Sequence, residues 1–201
     1  DEKINRPQVP DDVVDLVFEI ECRELPVDHQ CELGDALCKH VPELSEENQL
    51  AVHSIHLAGS QNGWERPDPS LGQKLILSRR TKLTLRAPVE DLERIEQALT
   101  GATIEISGCP LKIGKAKTKK LSRQGTIFSR YIVLEPGEDQ DELVFMQRVV
   151  NELSERGIRV RKALSGKTVS IEGPDGPVMT RSLMIADLQL DESIKLQQDG
   201  L

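Results

Sequence analysis

Aromatic residues are scarce in this sequence of 201 residues, which contains one Trp, one Tyr and three Phe. A β-sheet that reads unpaired bases by stacking needs exposed aromatic side chains. Only Phe128 and Tyr131 lie in a basic stretch, and their odd spacing on a strand predicts that they point to opposite faces. The composition therefore favours nucleic-acid contacts through phosphates and Arg side chains over a stacking platform.

Long apolar runs and cofactor motifs are also missing. No run approaches the roughly 20 residues that span a bilayer, so we expect no membrane segment, and no secretory signal either. The four cysteines form no C-x-x-C pair, which predicts reduced thiols in a cytoplasmic protein rather than a zinc site. Phosphate-loop, dinucleotide-binding and G-x-S-x-G motifs are absent, and we expect no metal and no cofactor.

The charged residues are segregated along the chain. The net charge is −8, yet residues 73–89 hold five cations and residues 111–134 hold seven, with no acid in either stretch. Such segregation indicates a phosphate-binding face on an acidic body, although lysines also guard exposed sheet edges. The predicted RNA-binding residues are Arg79, Arg80, Lys82, Lys112, Lys115, Lys117, Lys119, Lys120, Arg123 and Arg130.

The hydrophobic patterns predict an α+β fold of tandem ferredoxin-like (RRM-like) units with antiparallel sheets. The first half follows the order β-α-β-β-α-β, and the second half repeats β-α-β-β. We expect a polar tail over 1–12, an N-terminal unit over 13–122 and a C-terminal unit over 123–201, the last incomplete at its glycine-rich end. Lys115, Lys117 and Lys119 alternate, so a strand would present them on one face.

Several local predictions are specific enough to test. Asp28 is expected to cap the first helix. Residues 74–79 and 81–87 are predicted to form two short strands or one long bent strand, which would carry Arg79 and Arg80. Residues 51–58 are predicted to form one strand, and residues 158–163 and 167–172 two strands turned at Ser165-Gly166. The helix over 139–156 is expected to bury Leu143, Met146, Val150 and Leu153, and Asp191 is the candidate cap of the last helix.

All four histidines fall between residues 29 and 56. His53 and His56 form a His-x-x-His pair, but on a strand this spacing predicts opposite faces and therefore no metal site. His29 lies in the first turn of a predicted helix, where the macrodipole would keep the imidazole neutral and available as a base. A capping or surface role for His29 is the alternative.

Three segments, residues 25–37 (LPVDHQCELGDAL), 75–86 (LILSRRTKLTLR) and 182–201 (SLMIADLQLDESIKLQQDGL), together resemble the CRISPR repeat-processing endoribonucleases. The most similar subtype was first described in myxobacteria and is also found in cyanobacterial systems. The resemblance implies a metal-independent cut in a repeat transcript that leaves a 2′,3′-cyclic phosphate. It also implies that the enzyme stays on the guide-RNA hairpin with other subunits of a type I targeting complex, or with transposition proteins.

Within this resemblance His29 matches the histidine of the Leu-Pro-x-Asp-His motif and is the expected general base, with His53 as the alternative. The chain departs from the family pattern at Cys31, where Tyr is frequent, and at Ser45, where related nucleases place a histidine. The general acid is open among Tyr131, Ser45 and a lysine. Two other functions remain: a non-cleaving subunit that binds RNA hairpins, and a ferredoxin-like interaction protein that binds no RNA.

Overall fold

The computed structural model describes residues 12–42, 51–56 and 67–200 of the chain. The chain divides into two compact units, with the boundary between Lys120 and Leu121. Each unit combines helices with an antiparallel sheet, which confirms the predicted α+β class. None of the helices in these ranges is long and apolar enough to cross a membrane.

The first unit follows the ferredoxin-like order. Its elements are β1 (Val13–Glu21), β2 (Glu24–Pro26), α1 (Gln30–Cys38), β3 (Ala51–Val52), β4 (Lys74–Ile76), β5 (Lys82–Pro88), α2 (Leu92–Leu99), β6 (Thr103–Ile106) and β7 (Cys109–Lys119). The main sheet has the order β3-β5-β1-β7-β6, while β2 and β4 pair separately. The central strand β1 therefore lies between β5 and β7, which together carry half of the predicted RNA-binding cations.

Alternation along β1 separates the two faces of this sheet. Leu16 and Phe18 are buried against the two helices, while Asp15 and Glu19 point to the opposite side, which we call the outer face. A slip of one residue would bring these carboxylates into the core, so the register is strongly fixed. The helices contribute Leu33, Leu37, Ile95 and Leu99 to the same core.

Three local predictions in the first unit were wrong. Helix α1 begins after His29 rather than at Asp28, and its N-cap residue makes no side-chain capping bond. Arg79 and Arg80 lie in the turn between β4 and β5, because Ser78 and Thr81 close that turn by a backbone hydrogen bond of 3.0 Å. Strand β3 ends at Val52, and residues 57 and 58 of the predicted strand lie outside the described residues.

The second unit contains β8 (Ile127–Val133), α3 (Glu142–Glu155), β9 (Lys162–Gly173), β10 (Gly176–Ala186) and α4 (Leu190–Asp199). Its sheet has the order β8-β10-β9, as in the first three strands of a ferredoxin-like unit. The predicted turn at Ser165-Gly166 is wrong: β9 continues through both residues, with Ser165 opposite Leu183 and Thr168 opposite Arg181. The strand bends there at a bulge, and the chain reverses between β9 and β10 instead.

The predicted buried stripe of helix α3 is right for Leu153 and Met146, which lie in or against the core, and wrong for Leu143 and Val150. Phe145, Val149 and Leu153 face the core, whereas Leu143 is 78% exposed and Val150 is 37% exposed. Both stripes have helical spacing, and the bulky Phe145 decides which one faces the sheet. The predicted cap of α4 was also wrong, because Gln189 occupies the N-cap position in a capping box with Glu192.

Candidate functional site

His29, the expected general base, is a core residue that is 1% exposed. Its Nδ1–H donates to the carbonyl oxygen of Pro26 at 2.9 Å, and its Nε2 accepts from the backbone N–H of Ile55 at 3.0 Å. These two bonds place the proton on Nδ1 and occupy the Nε2 lone pair. A base must accept a proton from its substrate, and both nitrogens of His29 are already engaged with the backbone, so this geometry argues for a structural role.

A cleft on the outer face of the first sheet contains the alternative histidine. Its volume is about 420 Å³. Its lining is unusually rich in polar and titratable side chains: Asp15, His53, Ser54, His56, Arg80, Thr81, Lys82 and Thr84. His53 and His56 both line it, so the prediction that they point to opposite faces of a strand was wrong. The reason is the early end of β3 at Val52, which frees residues 53–56 from strand alternation.

His53 is positioned by the sheet and held neutral by its surroundings. Its backbone N–H donates to the carbonyl oxygen of Thr84 at 3.0 Å, which continues the pairing of β3 with β5. Its side chain is 42% exposed, and Nε2 lies 4.0 Å from Asp15 Oδ1. Partial burial, followed by the cation of Arg86, lowers the pKa of His53 from 6.5, while Asp15 opposes the shift. The neutral imidazole therefore predominates at neutral pH.

Asp15 and Arg86 form the support of this cleft. They pair across β1 and β5, with Nε–H donating to Oδ1 at 2.8 Å and an Nη2–H donating to Oδ2 at 3.1 Å. The bidentate geometry fixes both planar groups, and only 14% and 16% of the side chains are exposed. Because both carboxylate oxygens of Asp15 accept hydrogen bonds from Arg86, the guanidinium offsets the effect of the Asp15 charge on His53.

Two of the predicted RNA-binding cations contribute to the cleft. Arg80 is exposed in the turn before β5, and Lys82 stands at the start of β5. Lys82 Nζ is 3.9 Å from Glu19 Oε1, with both side chains largely in solvent, so the pair is weak and leaves Lys82 able to meet a phosphate. Arg79 is the exposed neighbour of Arg80.

The lysines of β7 lie on the same outer face, on the other side of β1. Lys117 stands opposite Val17 and Lys119 opposite Asp15, so both share this face as predicted. Lys115 lies with Gly114 in a bulge opposite Glu19, and Lys112 stands opposite Glu21. The strand order thus inserts the acids of β1 between the two acid-free stretches, which the sequence pattern did not predict.

The other predicted residues are spread more widely. Lys120 ends the first unit, whereas Arg123 and Arg130 belong to the second, where Arg130 lies in β8. Tyr131, a candidate acid, is also in β8, and Ser45 lies outside the described residues. Cys31 is exposed on α1. Among the described residues no three His, Cys, Asp or Glu side chains come together as a group that could hold a metal ion.

Four lining residues of the cleft were not predicted from the sequence: Asp15, Ser54, Thr81 and Thr84. Arg86, which binds Asp15 from β5, was not predicted either. Arg86 belongs to the first acid-free stretch, and Asp15 stands between the apolar residues Val14 and Leu16 in β1. This alternation of a polar residue with apolar ones was the signal in the sequence that Asp15 lies on the sheet face opposite the core. It could not reveal the pairing of β1 with β5, which joins residues 71 positions apart.

Comparisons with known proteins agree on one family. Residues 14–201 match the profile of the family described as "Cas6 Crispr". A curated relative, the CRISPR-associated endonuclease Cas6 of Myxococcus xanthus (strain DK1622), is 27% identical over 189 residues, which are 94% of this chain and 75% of the relative. A solved structure titled "CRISPR associated protein Cas6" has a TM-score of 0.54 at 10% identity, covering 90% of this chain and 96% of the other, and supports the fold. The chain belongs to the Cas6 family.

Proposed function

We propose that this chain cuts CRISPR repeat transcripts without a metal ion and leaves a 2′,3′-cyclic phosphate, with His53 as general base. Family membership supports an endonuclease that processes CRISPR repeats. The observation that carries the residue assignment is the cleft itself, in which a neutral, half-exposed imidazole stands among Arg80, Lys82 and a second histidine.

The reaction follows from these groups. Neutral His53 accepts the proton of the ribose 2′-hydroxyl, the 2′-oxygen attacks the adjacent phosphorus, and the bond from phosphorus to the 5′-oxygen breaks. Arg80 and Lys82 stabilise the charge that builds on the phosphate oxygens. His56, the second histidine of the cleft, is the proposed donor of a proton to the leaving 5′-oxygen. The products are a 2′,3′-cyclic phosphate and a 5′-hydroxyl.

The test is single-turnover cleavage of a repeat hairpin labelled at its 5′ end. We expect cleavage in excess EDTA, and a product end that resists phosphatase until acid opens the cyclic phosphate. His53→Ala should slow cleavage by about 10²–10⁴-fold, the contribution of a positioned general base, with little loss of RNA affinity. His40→Ala, which changes an exposed histidine near the end of α1, is the matched control and should cut normally. Loss of cleavage in EDTA would refute the metal-independent mechanism.

We also propose that the chain stays bound to the cleaved hairpin and joins other subunits of a type I targeting complex. The exposed cations of β7 support retention, because several phosphate contacts give slow dissociation at low salt. Co-purification of the mature guide RNA with the chain tests this proposal. A product released as fast as it forms would contradict it.

A non-cleaving RNA-hairpin subunit is the second candidate. It is favoured by the position of His29, which matches the family motif yet has both ring nitrogens bonded to the backbone. The wild-type reaction separates the two functions, since a non-cleaving subunit would bind the repeat hairpin and leave it intact.

A further inference from the structure

Phe128, Met184 and Leu164 lie on one face of the second unit's sheet, opposite to the face that packs on α3 and α4 in the described part of the chain. These residues form a row across three strands, because Met184 pairs with Phe128 on one side and with Leu164 on the other. Phe128 is 55% exposed and Leu164 is 58% exposed, whereas the alternate residues Leu183 and Ile185 are buried against α3 and α4. An aromatic ring exposed between other apolar side chains on a sheet indicates a binding surface.

The charges around this row are of one sign. The guanidinium of Arg130 lies over the ring of Phe128, with Cζ 5.7 Å from the ring centroid. Lys162 stands two residues before Leu164 on β9, and Lys167 is exposed farther along the same strand. Strands β8, β9 and β10 contain a single acid, Glu172, near the end of β9. The face thus combines an aromatic ring, apolar neighbours and cations, on strands with a single acid among them.

This combination matches unpaired nucleotides. Any of the four bases can stack on an aromatic ring, and the phosphates on either side of the base pair with cations. The row spans two strand spacings, about 10 Å, which accommodates one base on Phe128 and a second on Met184 and Leu164. A second copy of the chain fits less well, because it would bring the same cations against each other without an acid between them.

We propose that this face binds single-stranded RNA, with Phe128 as the stacking platform and Arg130 and Lys162 as phosphate contacts. The proposal rests on the proposed function only in taking RNA as the ligand. It assigns unpaired nucleotides to the second unit, whereas the lysines of β7 belong to the first. The scarcity of aromatics had favoured contacts through phosphates and Arg side chains over a stacking platform, and the exposure of Phe128 changes that expectation.

The experiment uses the full chain and a uridine octamer that carries one central 2-aminopurine. Fluorescence anisotropy gives the Kd of the octamer for the chain at about 50 mM salt, where phosphate contacts are strong. Quenching of the 2-aminopurine fluorescence reports base stacking. Phe128→Leu keeps an apolar side chain but removes the ring, and it should weaken binding by about tenfold and abolish quenching. Phe128→Tyr should retain both. Leu143→Ala, which changes an exposed apolar residue of α3, is the matched control and should bind like the wild type.

Three results would overturn the proposal: no binding of the octamer by the wild-type chain, equal binding and quenching by Phe128→Leu, or a self-association in sedimentation that Phe128→Leu abolishes. The octamer carries no repeat sequence and is scored for binding only. A chain that cuts no repeat RNA can therefore still give the predicted result, and a chain that cuts repeat RNA can still fail it.

Discussion

Replacement of His29 by Ala should destabilise the first unit without removing the chemical step. The substitution deletes two buried hydrogen bonds, each of which contributes about 1 kcal/mol, and leaves the buried N–H of Ile55 without its acceptor. Together with the small cavity left by the ring, the loss is about 3 kcal/mol of unfolding free energy. A domain of about 100 residues loses about 4–8 °C in Tm per kcal/mol, so we expect a fall of about 12–24 °C.

The assays are thermal unfolding followed by circular dichroism and single-turnover cleavage at a temperature where the variant is folded. His29→Gln should recover part of the Tm, because an amide can accept from Ile55 or donate to Pro26. The folded Ala variant should cut repeat RNA at close to the wild-type rate. A variant with unchanged Tm and abolished cleavage would refute this reasoning and restore His29 as the base.

Three further predictions follow from the charges. Burial and the cation of Arg86 lower the pKa of His53, so the cleavage rate should rise with pH over a range that lies below 6.5. Arg86→Gln removes that cation and should move the rise to higher pH; a rise at the same pH would contradict this. The ion pair with Arg161 lowers the pKa of Glu192 to about 2, so the second unit should lose stability as pH falls from 4.5 towards 2 in acid unfolding. Glu192→Gln should weaken that dependence, although Glu138, whose pKa Arg148 lowers, keeps part of it; a dependence as steep as in the wild type would exclude the Arg161 pair as a cause. Replacing Lys115, Lys117 and Lys119 by Ala should lower RNA affinity. The slope of the log of the RNA-binding constant against log salt concentration should flatten by up to about 0.9 per lost phosphate contact. Replacement of the exposed Lys39 by Ala is the control, and an unchanged slope in the triple variant would exclude these lysines from the interface.

Much of the fold could be predicted from local patterns. Alternation in the sequence predicts strands over 13–21, 103–106 and 110–119, with a turn at Ser107-Gly108, and β1, β6 and β7 have nearly these bounds. Both turn residues adopt positive φ, the conformation that this short hairpin requires. The resemblance to the CRISPR repeat-processing nucleases is confirmed at the level of the family.

The site was harder to predict because it depends on contacts between distant segments. The motif position of His29 gave no sign that the N–H of Ile55, 26 residues away, would occupy its Nε2. The acid-free stretches were visible, but not the strand order that sets Asp15 and Glu19 of β1 between them. The buried stripe of α3 was mispredicted in part for a related reason: two stripes with helical spacing compete, and only packing against the sheet selects the one with Phe145.

Chemical rescue of His53→Gly tests the central claim most directly. The side chain is partly exposed, so its removal leaves a space that a small solute can enter. We expect the variant to cleave repeat RNA at least about 100-fold more slowly than the wild-type chain. Added imidazole should restore part of the rate, in proportion to its neutral form. Cleavage by His53→Gly at the wild-type rate, or a loss that imidazole does not restore, would contradict the assignment of His53 as the general base.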